Sequence, residues 1–233
     1  VDGIQVNQAT NKGTTPLNFA CRIGHLKVVR MLLAVDGIQV NQANDDGFTP
    51  LYVACEFTHS KIVEKLLAVN GIDVNQASNN GWTPLNVACE KGALTVVQML
   101  LAVEGIQVNQ ANDNGFTPLY VACEFTHSKI VEKLLAVNGI DVNQASNNGW
   151  APLNVACEKG DLAVVEKLLA AKGIQVNQVN NNQATPLYVA CEQGHSKVVK
   201  MLLAVNGIQV NQADNTGFTP LCVACQNGHS KVV

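Results

Sequence analysis

The chain repeats itself every 34 residues, and this repetition constrains its fold more than any other feature. The glycines that mark the period are Gly3, Gly37, Gly71, Gly105, Gly139, Gly173 and Gly207. In repeat architectures each unit buries its apolar face against its neighbours. The sequence therefore predicts a single repeat domain over 1–233. Its predicted repeats are 3–36, 37–70, 71–104, 105–138, 139–172, 173–206 and a partial repeat at 207–233. The partial last repeat indicates that the chain is a fragment of a longer array.

Each repeat contains the signals for two short helices and a connecting loop. Thr49 followed by Pro50 is typical of a helix N-cap and its first residue. Apolar residues recur at helical spacing up to Thr58, where other repeats carry glycine, and a second apolar stripe ends before Asn70. The remaining stretch, 71–81, predicts a short extended hairpin. The predicted fold class is an all-α repeat solenoid, each repeat a β-hairpin or loop plus two antiparallel helices.

These positions resemble the ankyrin repeat, whose pattern runs roughly G-x-T-P-L-H-x-A-x-x-x-G-H-x-x-V-V-x-x-L-L-x-x-G-A-x-V-N. The first repeat reads GTTPLNFACRIGHLKVVRMLLAVDGIQVN, and the resemblance extends in register over the whole chain. The tetratricopeptide pattern has a similar period of about 34 residues. It lacks both TPLxxA and the loop with VN, so we reject it.

Two departures from the ankyrin pattern affect hydrogen bonding. The usual histidine after TPL is missing, which predicts the loss of its imidazole hydrogen bond. In its place stand Asn18, Tyr52, Asn86, Tyr120, Asn154, Tyr188 and Cys222. Ala151 also replaces the capping threonine, a loss that costs about 1 kcal/mol.

Composition and motifs exclude several function classes. The net charge of -3 argues against a nucleic-acid partner, because nucleic-acid binders need a basic face to contact phosphates. No apolar run approaches the roughly 18 residues of a membrane span, so we expect no membrane insertion. The chain has no nucleophile–base arrangement, phosphate-binding glycine loop, HExxH or EF-hand pattern. We therefore expect neither an enzyme nor a cofactor.

The recurrent cysteines and histidines are predicted to be structural. Helices pack about 8 to 10 Å apart, whereas a disulfide needs Cα atoms within about 7 Å. The cysteines are therefore predicted to be small buried residues, with the C-x-x-C of Cys222 and Cys225 a weak metal or redox signal. The histidines are predicted to begin the second helix or to hydrogen-bond between repeats; they are His25, His59, His127, His195 and His229.

The resemblance implies a concave groove that binds a partner protein, lined by loop tips and by the ends of the first helices. Aromatic residues are overrepresented in such contacts because they bury much area with little rotamer freedom to lose. The predicted partner-binding residues are Phe48, Trp82, Phe116, Trp150, Phe218, Phe57, Phe125, Asp45, Asp113, Glu56, Glu90, Glu124 and Glu158, and Glu192 continues the same acidic column. Alternatively, the aromatic residues cover neighbouring loops and recur because the repeats were copied.

One modification is implied by the same resemblance. In ankyrin proteins an asparagine preceded by L-x5-D-V can be hydroxylated by an oxygen-dependent enzyme, and Asn75 and Asn143 fit that form. All seven asparagines of the VN step are predicted to satisfy backbone groups at the base of the hairpin: Asn7, Asn41, Asn75, Asn109, Asn143, Asn177 and Asn211.

The predicted function is a monomeric, non-catalytic protein-interaction scaffold. Its partner is a protein that the sequence does not identify. Unpaired cysteines and the lack of N-x-S/T sites favour an intracellular, cytoplasmic location, while delivery into a host cell stays open. Two alternatives also stay open: a targeting segment of a larger enzyme or channel, and a structural or designed array without a natural ligand.

Overall fold

The computed structural model describes residues 4–233, so Gly3 lies outside the described residues. Thirteen helices lie in this part of the chain. The first helices of the repeats are α1 (Pro16–Ile23), α3 (Pro50–Glu56), α5 (Pro84–Glu90), α7 (Pro118–Glu124), α9 (Pro152–Lys159), α11 (Pro186–Glu192) and α13 (Pro220–Gln226). The second helices are α2 (Leu26–Leu33), α4 (Ser60–Leu67), α6 (Leu94–Leu101), α8 (Ser128–Leu135), α10 (Leu162–Leu169) and α12 (Ser196–Leu203).

The first helices begin where the sequence predicts. The Thr49 hydroxyl accepts a hydrogen bond from the Tyr52 backbone N–H at 3.1 Å, and Pro50 opens α3. Helix α9 lacks such a hydroxyl, but the Ala151 N–H still donates to Oδ1 of Asn154 at 3.2 Å. A capping box has two hydrogen bonds, one to the N-cap side chain and one from the N-cap N–H. Only the bond from the N-cap N–H is present in this repeat.

The predicted extended hairpin is a loop, and residues 4–233 contain no β-strand. In the loop before α5, the Ser78 N–H donates to the Trp82 carbonyl and the Gly81 N–H to the Ser78 carbonyl, both at 2.9 Å. The Asn79 N–H donates instead to the Asp46 carbonyl of the preceding repeat at 3.0 Å. Backbone groups that would extend a hairpin ladder are thus used between repeats.

The chain divides into two compact units, one ending at Asp113 and the other running from Asn114 to Val233. In the first unit α3 packs between α1 and α5, and in the second α7, α9, α11 and α13 pack in series. Leu51 and Leu153, which each follow a helix proline, are fully buried. Each repeat therefore completes its core with its neighbours.

Six cysteines are buried in this core, as predicted: Cys21, Cys55, Cys89, Cys123, Cys157 and Cys191. Burial raises the pKa of the Cys21 thiol to about 12 and that of Cys191 to about 11. Cys225 departs from the prediction, because it is exposed on α13. The described residues contain no first helix after α13 that could cover it. Buried thiols at these positions stay protonated and act as small apolar side chains.

His59 and His195 join successive repeats, and their side chains do not cap the helices that they precede. His59 precedes α4 and His195 precedes α12, and neither side chain makes a cap hydrogen bond. Instead, Nε2 of His59 lies 3.2 Å from the Arg22 carbonyl oxygen, and Nε2 of His195 lies 2.8 Å from that of Glu158. The predicted inter-repeat hydrogen bonding is confirmed at these positions.

Candidate functional site

We call the side of a repeat formed by its loop tip and the end of its first helix the groove face. Asparagine and tyrosine hold this face together where the ankyrin pattern has histidine. Nδ2 of Asn18 donates to the Phe48 carbonyl of the next repeat at 3.2 Å. The Tyr188 hydroxyl donates to Oδ2 of Asp214 at 3.0 Å. The imidazole is absent at this position, but Asn18 and Tyr188 supply other hydrogen bonds that reach the next loop.

The groove face of the first unit contains a pocket of about 290 Å³. It is lined by Thr14, Asn18, Arg22, Asn44, Asp46, Phe48, Val53, Glu56 and Phe57. Phe48 is half-buried and stacks on Tyr52, with ring centroids 4.6 Å apart. Phe57 is 41% exposed, and the Arg22 guanidinium carbon lies 5.8 Å from its ring centroid. Three predicted residues, Phe48, Glu56 and Phe57, therefore meet here.

Arg22 and Asn18 are pocket residues that sequence reasoning missed. Arg22 stands where later repeats carry the glutamates of the acidic column. Its cation lies over an aromatic ring, an arrangement that leaves the guanidinium N–H groups at the edge available to an anionic or polar group. The presence of arginine in place of glutamate in that column is the sequence signal that could have identified Arg22.

On the groove face of the second unit, a lysine forms ion pairs with glutamates of two successive repeats. Nζ of Lys159 lies 2.7 Å from Oε1 of Glu124 and 3.4 Å from Oε2 of Glu158, so it joins two successive repeats. The hydrogen bond to Glu124 raises the pKa of Lys159. Next to Glu124, the Phe125 side chain is 45% exposed. Phe116 stacks on Tyr120 at 4.4 Å and is half-buried.

The remaining predicted residues differ in exposure. Trp82 and Trp150 are half-buried, whereas Phe218 is 38% exposed. Asp45 and Asp113 are exposed at loop tips, where their backbone N–H groups donate to carbonyls of the preceding repeat. The glutamate Glu90 forms an ion pair with Lys91 at 2.9 Å. The predicted aromatic residues thus include half-buried and exposed rings, and partner binding and covering of neighbouring loops both stay predictions.

Asn75 and Asn143 bridge successive loops. Nδ2 of Asn143 donates to the Gly173 carbonyl at 2.8 Å, and its Oδ1 accepts from the Gln175 N–H at 2.9 Å. Asn75 makes the same two bonds to Gly105 and Gln107. The predicted backbone role is confirmed. Hydroxylation of these two residues stays a prediction.

Metal sites and membrane spans each require a recognisable arrangement of residues. Within 4–233, no group of three or more His, Cys, Asp or Glu side chains is arranged to hold a metal ion. Over the same residues, no helix combines the length and apolar character needed to cross a bilayer.

Comparison with known families decides the classification. The family described as "Ankyrin repeats (3 copies)" matches residues 2–78, 65–146, 103–180, 130–214 and 153–233. The chain is an ankyrin-repeat protein. Its fold is also similar to the crystal structure of the ankyrin repeat domain of Bcl-3, described as a unique member of the IkappaB protein family. That match has a TM-score of 0.80 at 29% identity and covers 91% of this chain and 95% of the other.

A search of curated protein sequences finds no match to this ankyrin-repeat chain. The predicted fold class, an all-α repeat solenoid of the ankyrin type, is confirmed by the family match and the structural match. Ankyrin repeats generally mediate protein–protein interaction, and their fold is generally a non-catalytic scaffold. The groove face is accordingly the candidate binding surface of this protein.

Proposed function

We propose that this ankyrin-repeat protein is a non-catalytic scaffold that binds a partner protein on its groove face. The pocket formed by Phe48, Glu56 and Phe57 with Arg22 is the observation that carries the proposal. It combines exposed aromatic surface with charged groups of both signs. Interface hot spots have this composition, in which aromatic and arginine side chains anchor the partner.

The exposure of two phenylalanines supports the same face. Phe57 and Phe125 end the first helices of equivalent repeats and leave about half of each ring in contact with water. Burying that area in a complex would be favourable by roughly 25 cal/mol for each Å² removed from water. Both rings lie outside the buried core.

The cellular setting in the proposal is intracellular, with the protein acting as a monomer. Buried thiols whose pKa is raised, such as those of Cys21 and Cys191, persist unmodified in a reducing compartment. The partner itself is a protein that contacts the groove face.

The test compares capture of a partner from lysate by three forms of the full chain. The Phe57→Ala/Phe125→Ala variant removes exposed rings from the groove face. Its control is Met31→Ala on α2, where Met31 is 64% exposed and lies off the groove face. We expect the double variant to lose the captured protein while the control retains it, with unchanged urea unfolding of both. Equal capture by all three forms would contradict the proposal.

A further inference from the structure

Charges of opposite sign are separated in the second unit. The groove face carries four carboxylates and one lysine: Glu124, Glu158, Glu192, Asp214 and Lys159. The second helices carry an excess of cations: Lys129, Lys133, Lys167, Lys197 and Lys200 against Glu132 and Glu166. An anionic face beside exposed aromatic surface attracts a cationic partner and repels an anionic one.

Lys159 shows how this face holds a cation. Its ammonium bridges Glu124 and Glu158, which occupy the same position in successive repeats. Glu158 and Glu192 occupy this same position in the next pair of successive repeats, so they also follow one another along the face. That second pair has no lysine, since Gln193 stands where Lys159 stands one repeat earlier.

Glu192 lies among groups of its own sign. The Tyr188 hydroxyl donates to Oδ2 of Asp214 at 3.0 Å, so this second carboxylate lies against α11, the helix that carries Glu192. Burial, Asp214 and Glu158 together raise the pKa of Glu192. Within residues 4–233, Glu192 takes part in none of the ion pairs. An added cation would therefore relieve repulsion here.

We propose that the groove face of the second unit binds an extended partner segment rich in arginine or lysine, with one cation held between Glu158 and Glu192. This inference rests on the proposed function and adds the chemistry of the partner. Apolar side chains of the same segment would contact the exposed ring of Phe125.

The test uses a fluorescent peptide in which arginine, leucine and glycine alternate, and a matched peptide with glutamate for arginine. Binding to the full chain is followed by fluorescence anisotropy. We expect the arginine peptide alone to bind, and more weakly as NaCl rises from about 50 to about 200 mM. Glu192→Gln should weaken binding roughly two- to fivefold, the range of a partly exposed charge pair. Glu166→Gln on α10 removes the same charge from the opposite face and should leave affinity unchanged.

Lys159→Gln should change the affinity for the arginine peptide in the opposite direction. It frees Glu124 and Glu158, so the arginine peptide should bind more tightly. Equal binding of the two peptides, or equal effects of Glu192→Gln and Glu166→Gln, would overturn the inference. If the arginine peptide does not bind but capture still depends on Phe57 and Phe125, the scaffold function stands and the cationic partner is wrong. If capture is also independent of those rings, both proposals are wrong.

Discussion

The imidazole of His195 lies directly against Gly160 of the preceding repeat. A Cβ added to Gly160 would lie 2.6 Å from Cε1 of that ring, closer than atoms can approach. The ring's Nε2 is 2.8 Å from the carbonyl oxygen of Glu158, and because a carbonyl only accepts, Nε2 carries the hydrogen. Gly160 is therefore required for two reasons, its left-handed φ of 70° and the ring beside it.

The same relationship explains which repeats tolerate a side chain at this turn. Thr58 and Thr126 occupy the turn with a φ of 56°. The repeats that follow them carry Ala93 and Asp161 in place of histidine. Glycine and histidine thus occur together across a junction, and threonine occurs where the ring is absent.

A substitution at the turn separates the two requirements. We expect Gly160→Ala to destabilise the chain by roughly 1–2 kcal/mol for the left-handed backbone. The clash with His195 adds about 1–3 kcal/mol. The measurement is equilibrium unfolding in urea.

Gly173→Ala is the matched control for that substitution. Gly173 has a φ of 81°, but a Cβ added there would meet no atom within 4 Å, so the variant reports the cost of the backbone conformation alone. In a His195→Ala background, Gly160→Ala should cost no more than Gly173→Ala does. An unchanged excess in that background would show that the ring is not the cause.

Restoring the missing cap should stabilise the fifth repeat. Ala151→Thr supplies a hydroxyl that can accept from the Asn154 N–H, as Thr83 does for Asn86 at 3.1 Å in the equivalent repeat. We expect a gain of about 1 kcal/mol in unfolding free energy. Thr83→Ala should lose a similar amount. No change in either variant would argue against the cap as a source of stability.

Asn143 should contribute stability through both ends of its amide. Asn143→Ala removes the hydrogen bonds to Gly173 and Gln175 and should cost about 1–3 kcal/mol. Asn143→Asp keeps the acceptor for the Gln175 N–H but turns a carboxylate oxygen toward the Gly173 carbonyl oxygen, so at neutral pH it should cost at least as much as Asn143→Ala. Urea unfolding of the two variants gives the comparison, and a smaller loss in Asn143→Asp would show that the bond to Gly173 contributes little.

The buried thiols predict alkaline unfolding. Burial raises the pKa of Cys21 to about 12, whereas an unfolded thiol ionises near pH 8.5. Above about pH 8.5 the unfolded chain therefore releases protons that the folded chain keeps, and stability falls as pH rises. Each buried thiol contributes up to about 1.4 kcal/mol per pH unit.

The urea midpoint measured from about pH 8 to about pH 10 tests this dependence. Cys89→Ala removes one fully buried thiol and should flatten the slope, although the cavity lowers stability at every pH. Cys222→Ala removes an exposed thiol and should leave the fall in place. An identical slope in wild type and Cys89→Ala would contradict the thiol explanation.

Local signals predicted much of the fold. Thr49 and Pro50 begin α3, and Leu51 and Cys55 are buried because the repeat spacing puts them on one helix face. The loop was harder to predict. Its alternating residues favour a hairpin, but the Asn79 N–H bonds to the preceding repeat, a contact that no single repeat contains.

Contacts between repeats limited prediction of the candidate site as well. The bridge from Lys159 to Glu124 and the placement of Arg22 over Phe57 depend on how one repeat lies against the next. Sequence spacing locates these residues in their own repeats only. The hydrogen bond that Asn18 makes in place of the histidine could not be predicted either, because its amide reaches a carbonyl 30 residues away.

Hydroxyl-radical footprinting of side chains, with and without bound partner, tests the central claim most directly. The groove-face account predicts that the partner slows oxidation of Phe57 and Phe125 and leaves Met31 on α2 unchanged. Slower oxidation of Met31 with no change at Phe57 and Phe125 would contradict it.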